Sequence, residues 1–178
     1  MAVRESLLGL LTLGPAYGLQ LHAELASRAP HRAKTNVGQV YGTLDRLSTA
    51  GLVIHDGLTP DGLPLYALTS AGKSDAHTWL RGDELTTVPE WADLQDMVLI
   101  SASIDSRDAE FLLTVVDKFC QLASEPSGST EADTLHHLAH LRYLEAVHNW
   151  ISDVRSAQIQ PQAGYALGRP KRGRPAKS

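Results

Sequence analysis

The sequence predicts a mostly α-helical chain with a small β-hairpin wing, in the order helical head, hairpin, helical second half. Three observations carry the prediction. Residues 36–52, NVGQVYGTLDRLSTAGL, place Val37, Val40, Leu44 and Leu47 on one helical stripe. The period then becomes extended, with LVIH and LYAL on either side of a stretch dense in Gly, Pro and Asp. Finally, residues 132–157 carry Leu135, Leu138, Leu141, Leu144, Val147, Ile151 and Val154 on one continuous stripe, which predicts a long helix.

Bulk properties bound the reading. The 178 residues allow one or two domains, and 43% hydrophobic with 20% charged residues is the balance of a globular protein. No apolar run approaches the roughly 18–20 residues that cross a bilayer, and Glu5 precedes the apolar stretch at the N-terminus, so neither an anchor nor a signal peptide is expected. A cytoplasmic location is the expectation. With Cys120 the one cysteine, no disulfide can form within the chain; its apolar neighbours point to a small buried hydrophobe. The net charge of −4 conceals a segregation: residues 1–82 carry +1, residues 83–168 carry −10 and residues 169–178 carry +5.

Taken in order, residues 3–13 read as a short buried helix rich in leucine, ended by Gly14 and Pro15. A second helix runs from about residue 17 to 28, with Leu19, Leu21, His22, Leu25 and Ala26 facing inward. After Pro30, His31, Arg32 and Lys34 form a basic connection suited to phosphate contacts. The third helix begins at Asn36, a good N-cap, with Gln39 placed to complete a capping-box-like arrangement, and stops at Gly51. Its second face holds Gln39, Gly42, Arg46 and Thr49, flanked by Gly38 and Thr43. These are small hydrogen-bonding residues with one cation, as a helix presents to a DNA major groove. The hairpin follows, its turn including Gly62, Leu63 and Pro64, and Thr69 or Ser70 caps a fourth helix running towards Trp79. Three helices, a hairpin and a further helix make a winged helix-turn-helix, in which the third helix reads double-stranded DNA and the wing lies on the backbone.

The segments GLLTLGPAYGLQLHAEL, NVGQVYGTLDRLSTAGLV and YALTSAGK resemble the PadR family of bacterial transcriptional regulators, over about residues 4–82. The resemblance implies a winged-helix head and, in the larger type that this layout is similar to, an α-helical C-terminal dimerisation domain. It also implies that Tyr41 and its neighbours match DNA-contacting positions, and that a small, often aromatic, molecule releases the DNA. Trp79, Trp91 and Trp150 are the residues expected to line such a pocket, with core packing as their alternative use. Two departures from the family pattern stand out: Val37 follows the cap where many members have proline, and residues 52–68 contain no Lys or Arg, whereas the family's wing is commonly basic.

The expected domains are a winged-helix DNA-binding domain over residues 1–82, a linker over 83–90, an α-helical dimerisation domain over 91–157 and a disordered basic tail over 158–178. The long stripe calls for a second copy, and a homodimer would present paired helices to a palindromic site. Within the tail, Arg172-Gly173-Arg174-Pro175, flanked by Arg169 and Lys171, resembles an AT-hook, whose flat R-G-R core suits the narrow A·T minor groove. His136 and His140 share a face, but no Cys or carboxylate pattern accompanies them, so no metal and no cofactor are expected. Nothing has the spacing of a nucleophile–base pair or phosphate loop, and an enzyme is not expected. The leading reading is a dimeric, sequence-specific repressor that reads the major groove through Gln39, Thr43 and Arg46, Gln39 being able to pair with adenine, and that is relieved by a small aromatic effector. Its alternatives are an architectural binder of A·T-rich DNA, favoured by the tail, and a ligand-sensing interaction module, favoured by the uncharged wing.

Overall fold

The computed structural model describes residues 2–122, 130–162, 164 and 165. Seven α-helices and one two-stranded antiparallel sheet follow one another in these residues. They fall into two compact units, one of residues 2–77 with 162, 164 and 165, the other of residues 78–122 with 130–161. The expected basic motif at 169–175 and most of the loop at 124–130 lie outside the described residues.

In the first unit, α1 (Ala2–Leu11) contributes Leu7, Leu8, Leu10 and Leu11 to the core, all essentially inaccessible. It packs against α2 (Gly18–Arg28) and α3 (Val37–Thr49), whose inward residues are Leu21 and Leu25, and Val40, Leu44 and Leu47. Each large side chain removed from water in this way contributes about 1.5–3 kcal/mol, and this is what orients the three helices. Leu19, His22 and Ala26, also expected inward, are only half-buried; Glu24 and Arg28 are buried in their place, as an ion pair 2.9 Å apart.

The end of α3 is fixed by backbone geometry. Gly51 has φ +72°, its N–H donates to Ser48 O, and the Leu52 N–H reaches back to Leu47 O at 3.0 Å. This is a Schellman arrangement, and the buried Leu47 and Leu52 provide its apolar contact. Strand β1 (Val53–Leu58) then pairs with β2 (Pro64–Leu68) in the register Val53↔Leu68 to Leu58↔Pro64, with an irregularity between His55 and Leu58. The expected first strand ended at residue 55; the bulge lets it run three residues further into the stretch read as turn. Ala16 adds a bridge to the other edge of β2, exchanging two hydrogen bonds with Tyr66 at 2.8 and 3.0 Å.

Thr69 joins the hairpin to α4 (Ser70–Arg81): its hydroxyl donates to Gly51 O and accepts from the Gly72 N–H, so one side chain ties the end of α3 to the start of α4. The division between the two units falls within α4, after residue 77.

The second unit holds α5 (Trp91–Ile104), α6 (Ser106–Gln121) and α7 (Glu131–Ser156). Asp105 caps α6 by accepting from the Arg107 and Asp108 amides, and Thr130 with Asp133 forms a reciprocal capping box on α7. The core contains Leu94, Met97, Val98, Leu112, Leu113, Val116, Leu144, Val147 and Ile151, with Val88 and Leu85 from residues 83–90. Two of the eight residues expected as a linker, Leu85 and Val88, thus pack on this unit's core. Cys120 is half-buried against the same core, and burial raises its thiol pKa. The long stripe of α7 is buried only in its C-terminal half; Leu135 is 61% and Leu138 49% exposed.

Candidate nucleic-acid interface

The exposed face of α3 starts at its cap. Asn36 Oδ1 accepts from the Gly38 N–H at 2.7 Å. Gln39, expected to close a capping box, makes no such bond among the described residues, and its side chain is exposed together with those of Asn36, Arg46 and Thr49. Gly42 is half-buried with nothing within 4 Å of where a side chain would start, so this face has a gap one helical turn before Arg46.

Thr43 corrects the sequence reading. It was expected, with Gln39 and Arg46, to read the major groove, yet it is 3% exposed. Its hydroxyl donates to Gln39 O at 2.8 Å and accepts from Arg46 Nη2 at 2.9 Å. Its one donor is used and one of its two lone pairs holds the Arg46 guanidinium, and burial withdraws the hydroxyl from a base edge. Periodicity alone could not place it, because Thr43 sits at the border between the two faces.

Tyr41 is half-buried, its ring lying across Gly18 of α2: a Cβ at Gly18 would be 2.5 Å from the ring. The glycine of the motif AYGLQL thus makes room for an aromatic residue on the recognition-type helix. The Tyr66 phenol of β2 has its pKa raised by burial, then by the carboxylate of Asp45 and by Tyr41.

The basic connection is partly structured. Pro30–Arg32 forms a single 3-10 turn, in which His31 is exposed and Arg32 half-buried; Lys34 is exposed beyond it. One positioning residue was missed by the sequence reading, which took His22 as an inward residue of α2. Its Nε2 donates to Thr35 O at 2.8 Å, fixing the backbone one residue before the α3 cap. No pattern in the sequence signals a pairing across thirteen residues. A cation was also lost to the surface: Arg28 is buried, bound to Glu24 and to Gly164 O.

The wing offers phosphate nothing cationic. Ile54 and Leu58 are 51% and 67% exposed and Asp56 is exposed beside them. Gly62, Leu63 and Pro64 shape its turn: the Gly62 N–H donates to Thr59 O, the Leu63 N–H to Thr59 Oγ1, and Pro64 opens β2.

In the second unit, Trp91 and Trp150 meet at a 5.0 Å centroid separation with their planes tilted by 57°, and Tyr143 meets Trp91 edge-on at 6.5 Å. The Tyr143 hydroxyl donates to Pro89 O. Trp79 packs on the core without a ring contact to either tryptophan among the described residues, so the expected trio is a pair plus Tyr143. His136 and His140 are exposed, and the described residues hold no cluster of three or more His, Cys, Asp or Glu able to bind a metal. Among the described residues no helix is long and apolar enough to cross a membrane.

Residues 7–78 match the model of the transcriptional regulator PadR-like family. That family consists of transcriptional regulators, not enzymes. The solved structure of Bacillus subtilis PadR in complex with operator DNA is similar to the chain at 21% identity and a TM-score of 0.43, covering 87% of this chain and 95% of that one. No curated protein matches the sequence.

Proposed function

We propose that the chain, whose residues 7–78 match the PadR-like family model, regulates transcription by binding double-stranded DNA through α3. The observation that supports this best is the exposed face of that helix: Gln39 and Arg46 lie on either side of the gap at Gly42, with Lys34 on the connection before the cap. Gln39 is suited to adenine and Arg46 to guanine or phosphate. Tyr41, Asn36 and Gly38 line the start of the helix, and His31, Arg32 and Lys34 meet the backbone. The tail residues Arg169, Lys171, Arg172 and Arg174 add minor-groove and phosphate contacts of the AT-hook kind, offsetting a wing without cations.

The regulator works as a homodimer in the bacterial cytoplasm, as a repressor. Leu135 and Leu138, exposed one turn apart on α7, support dimerisation through that helix. A small aromatic effector would be taken by stacking at Trp91, Trp150 and Tyr143. A second reading, an architectural binder of A·T-rich DNA, is favoured by the uncharged wing together with the basic tail.

Footprinting on the region upstream of the chain's own gene separates the two. A sequence-specific regulator protects one site, and Arg46→Ala weakens it and lowers the salt slope by about one. An architectural protein binds that site and random A·T-rich duplex alike. Protection absent with the wild-type chain would exclude the leading reading.

A further inference from the structure

The hairpin carries neither Lys nor Arg over residues 52–68, but one of its side chains can become a cation, His55. His55 stands opposite Tyr66 in the ladder, so the two side chains share a face of the hairpin. The buried pair Val53 and Leu68 lies on that same face, the one turned to the core of the first unit. Ile54, one residue away, is exposed on the other. Past the edge of the core, His55 is exposed above a buried Tyr66, their ring centroids 4.8 Å apart and their planes tilted by 43°. Among the described residues neither imidazole nitrogen has a hydrogen-bond partner. Tyr66 is a fixed floor, because its N–H and C=O bond Ala16 at 2.8 and 3.0 Å. A protonated ring also gains from the face of a phenol.

Few charged groups surround the imidazole. Strand β1 packs against β2 and α3. From β2 comes only Tyr66, and from α3 come Tyr41 and Asp45, both of which act on the Tyr66 phenol. Arg46, the next residue of α3, is turned about 100° further round the helix and is held by Thr43. On β1 itself the neighbour is Asp56, which is exposed. With His55 neutral, this side of the wing offers a polyanion two carboxylates and no cation.

We infer that His55 is the wing's phosphate contact, made only when its imidazole is protonated, so that the wing joins α3 on DNA at low pH and leaves the phosphates at high pH. This rests on the reading that α3 meets DNA. Histidine is the side chain whose charge changes between about pH 5 and 8. A phosphate stabilises the protonated form, so the contact is complete at the acid end of that range and is lost as pH rises through it. A lysine or arginine would hold the wing on a duplex at either pH; the histidine makes this part of the affinity conditional.

Salt dependence on a random-sequence duplex tests it, since each phosphate neutralised adds about 0.9 to the slope of log affinity against log salt. Full-length wild type, His55→Gln and His55→Lys are compared near about pH 5.8 and about pH 8. On acidification the wild-type slope should steepen by about 0.9 more than that of His55→Gln. Taking the difference between two proteins over the same pH step removes what His31 and the other titrating groups contribute. At the higher pH, His55→Lys should keep the steep slope and bind about two- to fivefold more tightly than wild type. An equal pH effect in wild type and His55→Gln, or a lysine variant that matches wild type at the higher pH, overturns the contact and leaves α3 on the DNA. A wild-type chain that binds no duplex at either pH overturns the DNA reading, and the wing contact with it.

Discussion

Replacing Gly72 by alanine tests whether the junction of α3, the hairpin and α4 is as tight as its geometry implies. A Cβ at this position would lie 1.9 Å from Leu52 O, 2.9 Å from the Leu52 carbonyl carbon and 3.2 Å from Leu68 Cδ2. Ordinary contact requires the carbonyl to withdraw by roughly 1.5 Å. It cannot do so freely, because Leu52 O accepts from the Thr69 N–H at 3.0 Å and Leu52 is the residue whose own N–H closes α3. Overpacking against backbone belongs at the upper end of the usual range, about 3 kcal/mol. The strained Thr69 bond adds about 1 kcal/mol, and the better helix propensity of alanine returns about 1 kcal/mol. The net loss is about 3 kcal/mol, and for a unit of this size that lowers Tm by at least about 12 °C. Thermal unfolding of the full chain by circular dichroism reads the shift. A Gly72→Ala variant melting within about 2 °C of wild type would show that α4 is not seated on the Leu52 carbonyl.

The same chemical change at Gly42 has the opposite sign, since nothing lies within 4 Å of the new methyl group and the site is inside α3. Gly42→Ala should gain about 0.5–1 kcal/mol in the same melt while weakening DNA binding, if the gap is where the duplex approaches; a tighter complex would remove Gly42 from the interface. Burial pushes the Tyr143 phenol up to about 12, with smaller contributions from Glu90 and Cys120. Its folded pKa is thus above the ordinary 10.0, so the folded state keeps a proton that the unfolded state gives up. That contribution to stability is complete below pH 10 and is lost as pH rises towards 12. Ultraviolet titration of wild type minus Tyr143→Phe should isolate a phenol ionising near pH 12, and a difference curve centred at 10 would contradict the burial. Finally, Leu135→Asp with Leu138→Asp should leave a folded monomer by sedimentation, because both side chains are exposed within one chain; an unchanged dimer would place the contact elsewhere.

Much of the fold was legible because its signals are local. Helical spacing in α3 and α7, the cap at Asn36, the stop at Gly51 and the alternation into β1 and β2 each depend on residues within a few positions of one another. The Trp91–Ile104 helix was legible on the same ground. Where the reading failed, the reason is specific. Thr43 stands on the edge of the apolar stripe, and only the path of α3 over its neighbours decides that it is buried. The hairpin's first strand was cut short because a bulge accommodates residues that otherwise read as turn.

The candidate interface divides in the same way. Sequence alone determined which residues α3 can offer, that the wing lacks cations, and that the last ten residues are basic, since these are facts of composition and period. Only the tertiary structure decided that Arg28 is withdrawn into a buried pair with Glu24. It likewise decided that His22 holds the backbone before the cap, that Tyr41 lies over Gly18, and that Tyr165 returns to the end of α1. The last of these joins residues about 150 positions apart. Such pairings follow from how whole helices pack and from the need to satisfy buried polar groups, and neither leaves a periodic trace in the chain.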